Sequence, residues 1–232
     1  MLELLNNVQH RDLRIHSQRG AAWGDAVMCC PVTPDEFRSL QAHYPIVFQP
    51  DGEGSFLPVA LFGLVEGENL FLGPEGWEAD YIPLAMRRMP FSIGVAGDEL
   101  RMMVDMASPR IARSAAEGEA LFLPQGGNSP LLEEANSVLQ ALHEGLQSGA
   151  EFVRTLQAND LLESFVLEVP RPDGSKGSLQ GFFMIHEERL AALDAGTLSL
   201  LHQADYLQPI YMAVASMSRL AALVRAHLAR EA

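Results

Sequence analysis

Cysteine is nearly absent. The chain of 232 residues has two, Cys29 and Cys30, and they are neighbours. Adjacent cysteines rarely reach disulfide geometry, and two ligands do not complete a structural zinc site. Both lie in "AVMCCPV", which reads as a buried strand, where a free cysteine behaves as a small hydrophobe. That usage suits a reducing compartment. Basic residues are also scarce: 16 against 30 acidic, for a net charge of -14. A nucleic-acid binder needs a basic surface that displaces counterions, so this balance argues against one, and equally against a stable hold on anionic lipid. Long apolar runs are missing as well. Runs such as Leu57–Val65 are about half the roughly 20 residues a membrane helix needs, so no stable membrane insertion is expected. The opening "MLELLNNVQHRDLRIHSQRG" lacks the basic, apolar and small-residue parts of a signal peptide, and a cytoplasmic protein is expected.

The familiar catalytic patterns are missing too. No GxSxG, GxxxxGK[ST], GxGxxG or HExxH occurs. "HEERL" at His186 has the wrong spacing for two helix-borne zinc ligands and reads as a strand end running into a helix. The seven histidines (His10, His16, His43, His143, His186, His202 and His227) form no pair at ligand spacing, so no metal and no cofactor are expected. An ordinary surface or half-buried role is expected for His143 and His227. "QGGNSP" opens a helix whose N-terminus could hold an anion, but no Lys or Arg supports it there.

What is present is core. The chain is 48% hydrophobic and 20% charged, the balance of a globular protein. Residues 1–24 are mixed and polar and read as an arm; residues 25–232 read as a single domain. "DAVMCCPVT" reads as a strand. Thr33 caps a helix with Pro34 in its first turn, and Pro45 stops it. "IVFQ", "FLPVALFGLV" and "NLFL", separated by turn residues, predict a meander, with Pro58 marking an edge or a bulge. "GPEGWEAD" reads as a loop anchored by Trp77. "FSIGVAGDELRMMVDM" predicts two strands about Gly97-Asp98. Ser129 and Pro130 open a helix through Gly149, and "AEFVRTLQAND" predicts a second, short one. Phe165, Leu167 and Val169 alternate on one strand of a hairpin, and Leu179, Gly181, Phe183 and Ile185 on the other, about an Asp173-Gly174 turn. In the last segment Leu207, Tyr211, Val214, Met217, Ala221, Val224 and Leu228 fall at helical spacing. The fold class is therefore α+β: a mainly antiparallel sheet with a helical pair and a long C-terminal helix.

One stretch stands out. "YIPLAMRRMPF" places Arg87 and Arg88 inside an apolar run of an acidic chain. A helix from about Ile82 to Met89, capped by Asp80 and ended by Pro90, puts Ile82, Met86 and Met89 on one face and both arginines on the other. Their forks suit protein carboxylates and exposed carbonyls, or a bound anion. In the second case Trp77, Tyr81 and Phe91 line the ligand pocket and an acid such as Asp80 or Asp105 assists.

The order of "YPIVF", "PVALFGLVEGENLFL", Trp77, "YIPLAMRRMPF", "FVRTLQANDLLE" and "LQGFFMIHEERLAAL" resembles the SapC family of bacterial proteins, from about Ala26 to Arg225. This is the family named for a surface-layer-associated protein, not the transporter permease of the same name. The resemblance implies a link to surface layers and serum resistance, and partnership with outer-membrane receptor or halogenase-type gene sets. It brings no catalytic residues. The chain departs from the family pattern at Met89, where an aromatic is common, and at "LFLPQGG", where an acidic segment is common. The expected function is an accessory or interaction protein that presents a groove or helix face to a protein or peptide partner, with a homodimer through the C-terminal helix. The alternative is an enzyme or binding protein for a small anionic ligand or peptide, using Arg87 and Arg88.

Overall fold

A computed structural model describes residues 1–96, 99–170 and 176–231. The chain is an α+β protein whose strands all pair antiparallel. It forms two compact units, one of residues 1–26, 72–78 and 84–144, the other of residues 27–71, 79–83 and 145–232. Residues 1–24 belong to the first unit.

In the first unit Leu2–Leu4 and Phe91–Ala96 flank Glu99–Asp105 in a three-stranded sheet. The pairing of Phe91–Ala96 with Glu99–Asp105 is the expected hairpin; its Gly97-Asp98 turn lies outside the described residues. Arg14–Ile15 pairs with Glu119–Ala120. Leu72–Gly73 pairs with Gly76–Trp77, so "GPEGWEAD" is a small hairpin rather than a loop, and the end of "NLFL" joins that hairpin instead of the predicted meander. The core gathers Ile15, Phe91, Val104 and Leu121 against Leu132, Ala135 and Leu139 of a long helix.

The second unit holds a five-stranded sheet in the order Leu162–Pro170, Lys176–Ile185, Ile46–Pro50, Phe56–Leu61, Cys29–Pro31. Ile46, Val47 and Phe48 are buried in succession, so this strand is covered on both faces. Cys30 is buried and Cys29 half-buried; burial pushes the Cys29 thiol above its ordinary value, away from the reactive thiolate. Pro58 is not at an edge. Its strand is interior, but the Cys29–Pro31 strand pairs only with Val59–Leu61. Just past that ladder the Pro58 carbonyl accepts the Val32 N–H at 3.0 Å, a bond that needs no donor on proline.

Two further expectations change. Strict alternation in the Leu162–Ile185 hairpin is broken between Phe165 and Leu167. Gly181 takes a φ of 87° there, and Phe182, not Phe183, enters the core. Phe183 faces Phe56, with ring centres 4.6 Å apart. The predicted helical pair is one helix, Pro130–Ala158, of 29 residues. Gly145 and Gly149 do not break it. They admit close neighbours: a Cβ on Gly145 would lie 2.7 Å from the Thr33 methyl carbon, and one on Gly149 3.2 Å from the Pro34 Cδ. Gly145→Ala is therefore expected to destabilise by about 1–3 kcal/mol through overpacking, even though alanine improves helix propensity by up to about 1 kcal/mol. Gly149→Ala, with a looser contact, is expected to be near neutral. Thermal melting of the two variants side by side checks both.

Candidate functional site

The "LAMRR" turn separates its two arginines. The helix is only Leu84–Arg87, so Asp80 stands too far upstream to cap it, and the Met89-Pro90 peptide is cis. Met86 is buried, while Met89 is half-buried. The Arg88 Nη1 donates to the Phe91 carbonyl at 2.7 Å and closes the turn onto the following strand. The Arg87 Nη2 donates to the Glu134 Oε1 at 2.8 Å. That pair is 34% and 62% exposed, so water screens it and it contributes little to stability.

Arg87 leads into a cleft of about 150 Å³. His16, Ser17, Arg19, Arg110 and Glu134 share its wall with apolar groups that include Phe91. Arg110 is its deepest charge, 2% exposed. The Arg110 Nη2 donates to both oxygens of buried Asp25, at 2.7 and 2.8 Å. Its Nη1 donates to the carbonyls of His16 and Gln18, at 3.2 and 2.8 Å. Its Nε–H is buried with no partner among the described residues. Arg19, 18% exposed, sends its Nη1 to the Met86 carbonyl at 2.8 Å and to Asp25 at 3.5 Å. Burial, with the nearby Arg110 cation, pulls the Arg19 guanidinium below its ordinary value, against the opposing pull of Asp25. Three cations thus stand near two carboxylates, Asp25 and Glu134, with a third, exposed Glu119, on the Ser17 hydroxyl of the wall.

Of the predicted pocket, the structure brings Arg87 and Phe91 to this cleft; Arg88 and Trp77 do not line it. Trp77 is half-buried in its hairpin. Tyr81 belongs to the second unit, where its hydroxyl donates to the buried Glu36 at 3.1 Å and its carbonyl accepts the Tyr44 hydroxyl at 2.5 Å. Asp80 is exposed. Asp105 accepts the Met1 ammonium at 2.7 Å and the Ala107 N–H at 3.0 Å. The ammonium, then the amide, hold its carboxyl below the usual range, so it is ionised near neutrality and is no proton donor there. Sequence reasoning missed Arg19, Asp25 and Arg110. They are single charges in polar segments, and no local pattern marks them.

The second unit offers a surface of another kind. Its C-terminal rod runs through Leu207–Ser216, one 3-10 turn at Met217–Arg219, and Leu220–Glu231. Pro209, Ile210, Ala213, Ser216, Leu223 and His227 are its buried positions. The stripe predicted from spacing lies on the flank instead: Leu207, Val214, Met217, Val224 and Leu228 are half-buried, and Tyr211 and Ala221 exposed. His227, expected at or near the surface, is 3% exposed and pairs with Glu68 at 2.8 Å. The rod spans 24 residues from Leu207 to Arg230 with a mean hydropathy of 1.3 over its most apolar window, only 28% of which is buried. Beside its start lies a groove of about 360 Å³, walled by Asp35, Arg38, Phe152, Tyr206, Gln208 and Met212 among others.

Among the described residues no group of three His, Cys, Asp or Glu side chains is placed to hold a metal ion. The family model named SapC matches residues 5–223. No curated protein and no solved structure matches.

Proposed function

We propose an accessory, protein-binding role for this chain, which belongs to the SapC family: the flank of its C-terminal rod and the adjoining groove receive an apolar segment of a protein or peptide partner. The observation that carries this reading is the rod itself, apolar enough in its best window for a mean hydropathy of 1.3 yet with only 28% of that window buried. An apolar helix flank left only half-buried in this way is typical of a contact surface. Tyr211, 52% exposed, supplies the rigid amphipathic ring that such surfaces favour. Gln208 and Met212 belong to both the rod and the groove, so an occupant could engage the two together.

The rod's length and hydropathy also meet the requirement for crossing a membrane. The buried Ile210, Ala213 and Leu223 argue for the protein-binding reading, because insertion would strip them from the core. Arg219 and Arg225 argue the same way, since a charge at bilayer depth costs several kcal/mol. We place the protein in the cytoplasm, where its two unbridged thiols stay reduced, and the acidic balance supports a partner other than nucleic acid.

A photo-crosslinking residue at Tyr211, Met212 or Ala215 of the full chain, introduced in the source cell, tests the role. Discrete protein adducts at all three positions are expected. A band at twice the chain mass identifies a second copy as the partner; a heavier or lighter one identifies a different protein. Absence of protein adducts at all three, or adducts to lipid alone, overturns the proposal.

A further inference from the structure

The cleft of the first unit holds a feature that protein stability alone does not explain. Buried polar groups are nearly always hydrogen-bonded, and an unsatisfied donor on a cation is among the least favourable exceptions. Arg110 is 2% exposed and its Nε–H has no partner among the described residues, although its other two nitrogens are fully engaged with Asp25 and two carbonyls. Arg19 and Arg87 stand on the same cleft wall, and among the described residues the Arg87 side chain is held by the exposed Glu134 alone.

We infer that this cleft is a binding site for a small carboxylate with a short apolar tail, its oxygens taken by the Arg19 and Arg87 guanidinium groups in front of the buried, under-compensated Arg110 cation. Three arguments select the ligand. Three guanidinium groups meet Asp25 and Glu134, with Glu119 on the Ser17 hydroxyl at the rim, so the site suits a single negative charge better than a phosphate dianion. Six of the twelve lining residues are apolar, Phe91, Met89, Leu131 and Val138 among them, so part of the ligand meets hydrocarbon. The volume of about 150 Å³ is below the roughly 300 Å³ at which drug-sized sites begin, so the tail is a few carbons long. Arginine forks match the planar carboxylate and hold it by charge-assisted bonds. Glu134 occupies Arg87 when the cleft is empty and competes with the ligand for it. Arg19 and Arg110 stand on one cleft wall and repel each other, and an entering anion relieves that repulsion.

Titration of the full chain with butyrate tests this, followed by the arginine Nε–H resonances in NMR at constant ionic strength, with inorganic phosphate as the second arm. Saturable binding is expected, with the Arg19 and Arg87 Nε–H signals shifting most. Arg19→Gln and Arg87→Gln should each weaken binding about tenfold, the loss of one charge-assisted hydrogen bond. Glu134→Gln should strengthen it severalfold by removing the competing carboxylate, an effect that a structural Arg87–Glu134 pair does not produce. Arg38→Gln, in the other unit, should leave it unchanged. No saturable shift overturns the proposal. So does unchanged affinity in folded Arg87→Gln, whose partly exposed side chain is tolerant of replacement. Phosphate binding tighter than butyrate overturns the assignment to a carboxylate.

Discussion

Asp25→Ala is expected to destabilise the first unit by about 3–5 kcal/mol, the usual loss when one partner of a buried ion pair is removed. The side chains of Asp25 and Arg110 are 1% and 2% exposed, and Asp25 also accepts the Gly20 N–H at 2.9 Å. Without the carboxylate, Arg110 keeps its charge where water cannot reach it, and Arg19 adds a second cation beside it. The chain's two tryptophans, Trp23 and Trp77, both belong to this unit, so their fluorescence reports its unfolding. With a urea slope of about 2 kcal/mol per molar, the midpoint should fall by about 2 M. A double-mutant cycle separates lost attraction from abandoned charge. Asp25→Ala with Arg110→Met removes both charges and should be markedly more stable than Asp25→Ala alone. A double variant as unstable as the sum of the two single ones would show that the pair is not coupled. An Asp25→Ala loss below about 1 kcal/mol would mean that water reaches Arg110.

Phe152→Ala should cost the second unit a similar amount, about 3–5 kcal/mol. Phe152 is fully buried. Its ring meets Phe37 edge-on at 6.0 Å between centres and Tyr206 at 5.3 Å. Thus the second half of the long helix, the Phe37–Leu40 turn and the residue that opens the C-terminal rod share one aromatic contact. Truncation leaves a cavity that three elements must collapse together to fill, and their backbones restrain that collapse. Phe152→Leu keeps most of the volume and loses only the edge-on ring contacts, so its loss should stay below about 1.5 kcal/mol. Denaturation followed by far-ultraviolet circular dichroism measures both. Near-equal effects of Ala and Leu would show that ring geometry, not volume, sets the stability here. Because Phe152 and Tyr206 also line the groove beside the rod, Phe152→Ala should lower the crosslinking yield at Met212, whereas Asp25→Ala, in the other unit, should not.

Much of the architecture is legible in the sequence because it depends on near neighbours. Thr33 followed by Pro34 and Glu36 predicts a helical start, and the Thr33 N–H does bond the Glu36 carboxylate at 3.0 Å. The runs "IVFQP" and "FLPVAL" predict adjacent strands, and Val47 pairs with Val59. The apolar runs of Leu162–Pro170 and Lys176–Ile185 predict paired strands, and they do pair; the Asp173-Gly174 turn predicted between them lies outside the described residues. Where neighbours mislead, a distant contact has intervened. Gly145 and Gly149 look like a helix end, yet they serve the approach of Thr33 and Pro34, more than a hundred residues earlier. Alternation points to Phe183 as core, but the irregularity at Gly181 turns Phe182 inward. The rod's apolar spacing is real, but its buried face, Ile210, Ala213, Ser216, Leu223 and His227, lies one residue, about 100°, round from the predicted stripe both before and after the 3-10 turn.

The sequence by itself determined the α+β class, the acidic balance of the chain, the family, and the two arginines that mark its strongest motif. Each follows from composition or from contacts within a few residues. Only the tertiary structure decided what those arginines do. It closed Arg88 onto Phe91, turned Arg87 toward Glu134, and set Arg19 and Arg110 beside it from segments 68 and 23 residues away. A cluster of charges is a sum over space, and a guanidinium acquires its role from whatever the fold brings within about 4 Å of it. No spacing along the chain records that distance, which is why Asp25 and Arg110 were silent in the sequence and are central in the structure.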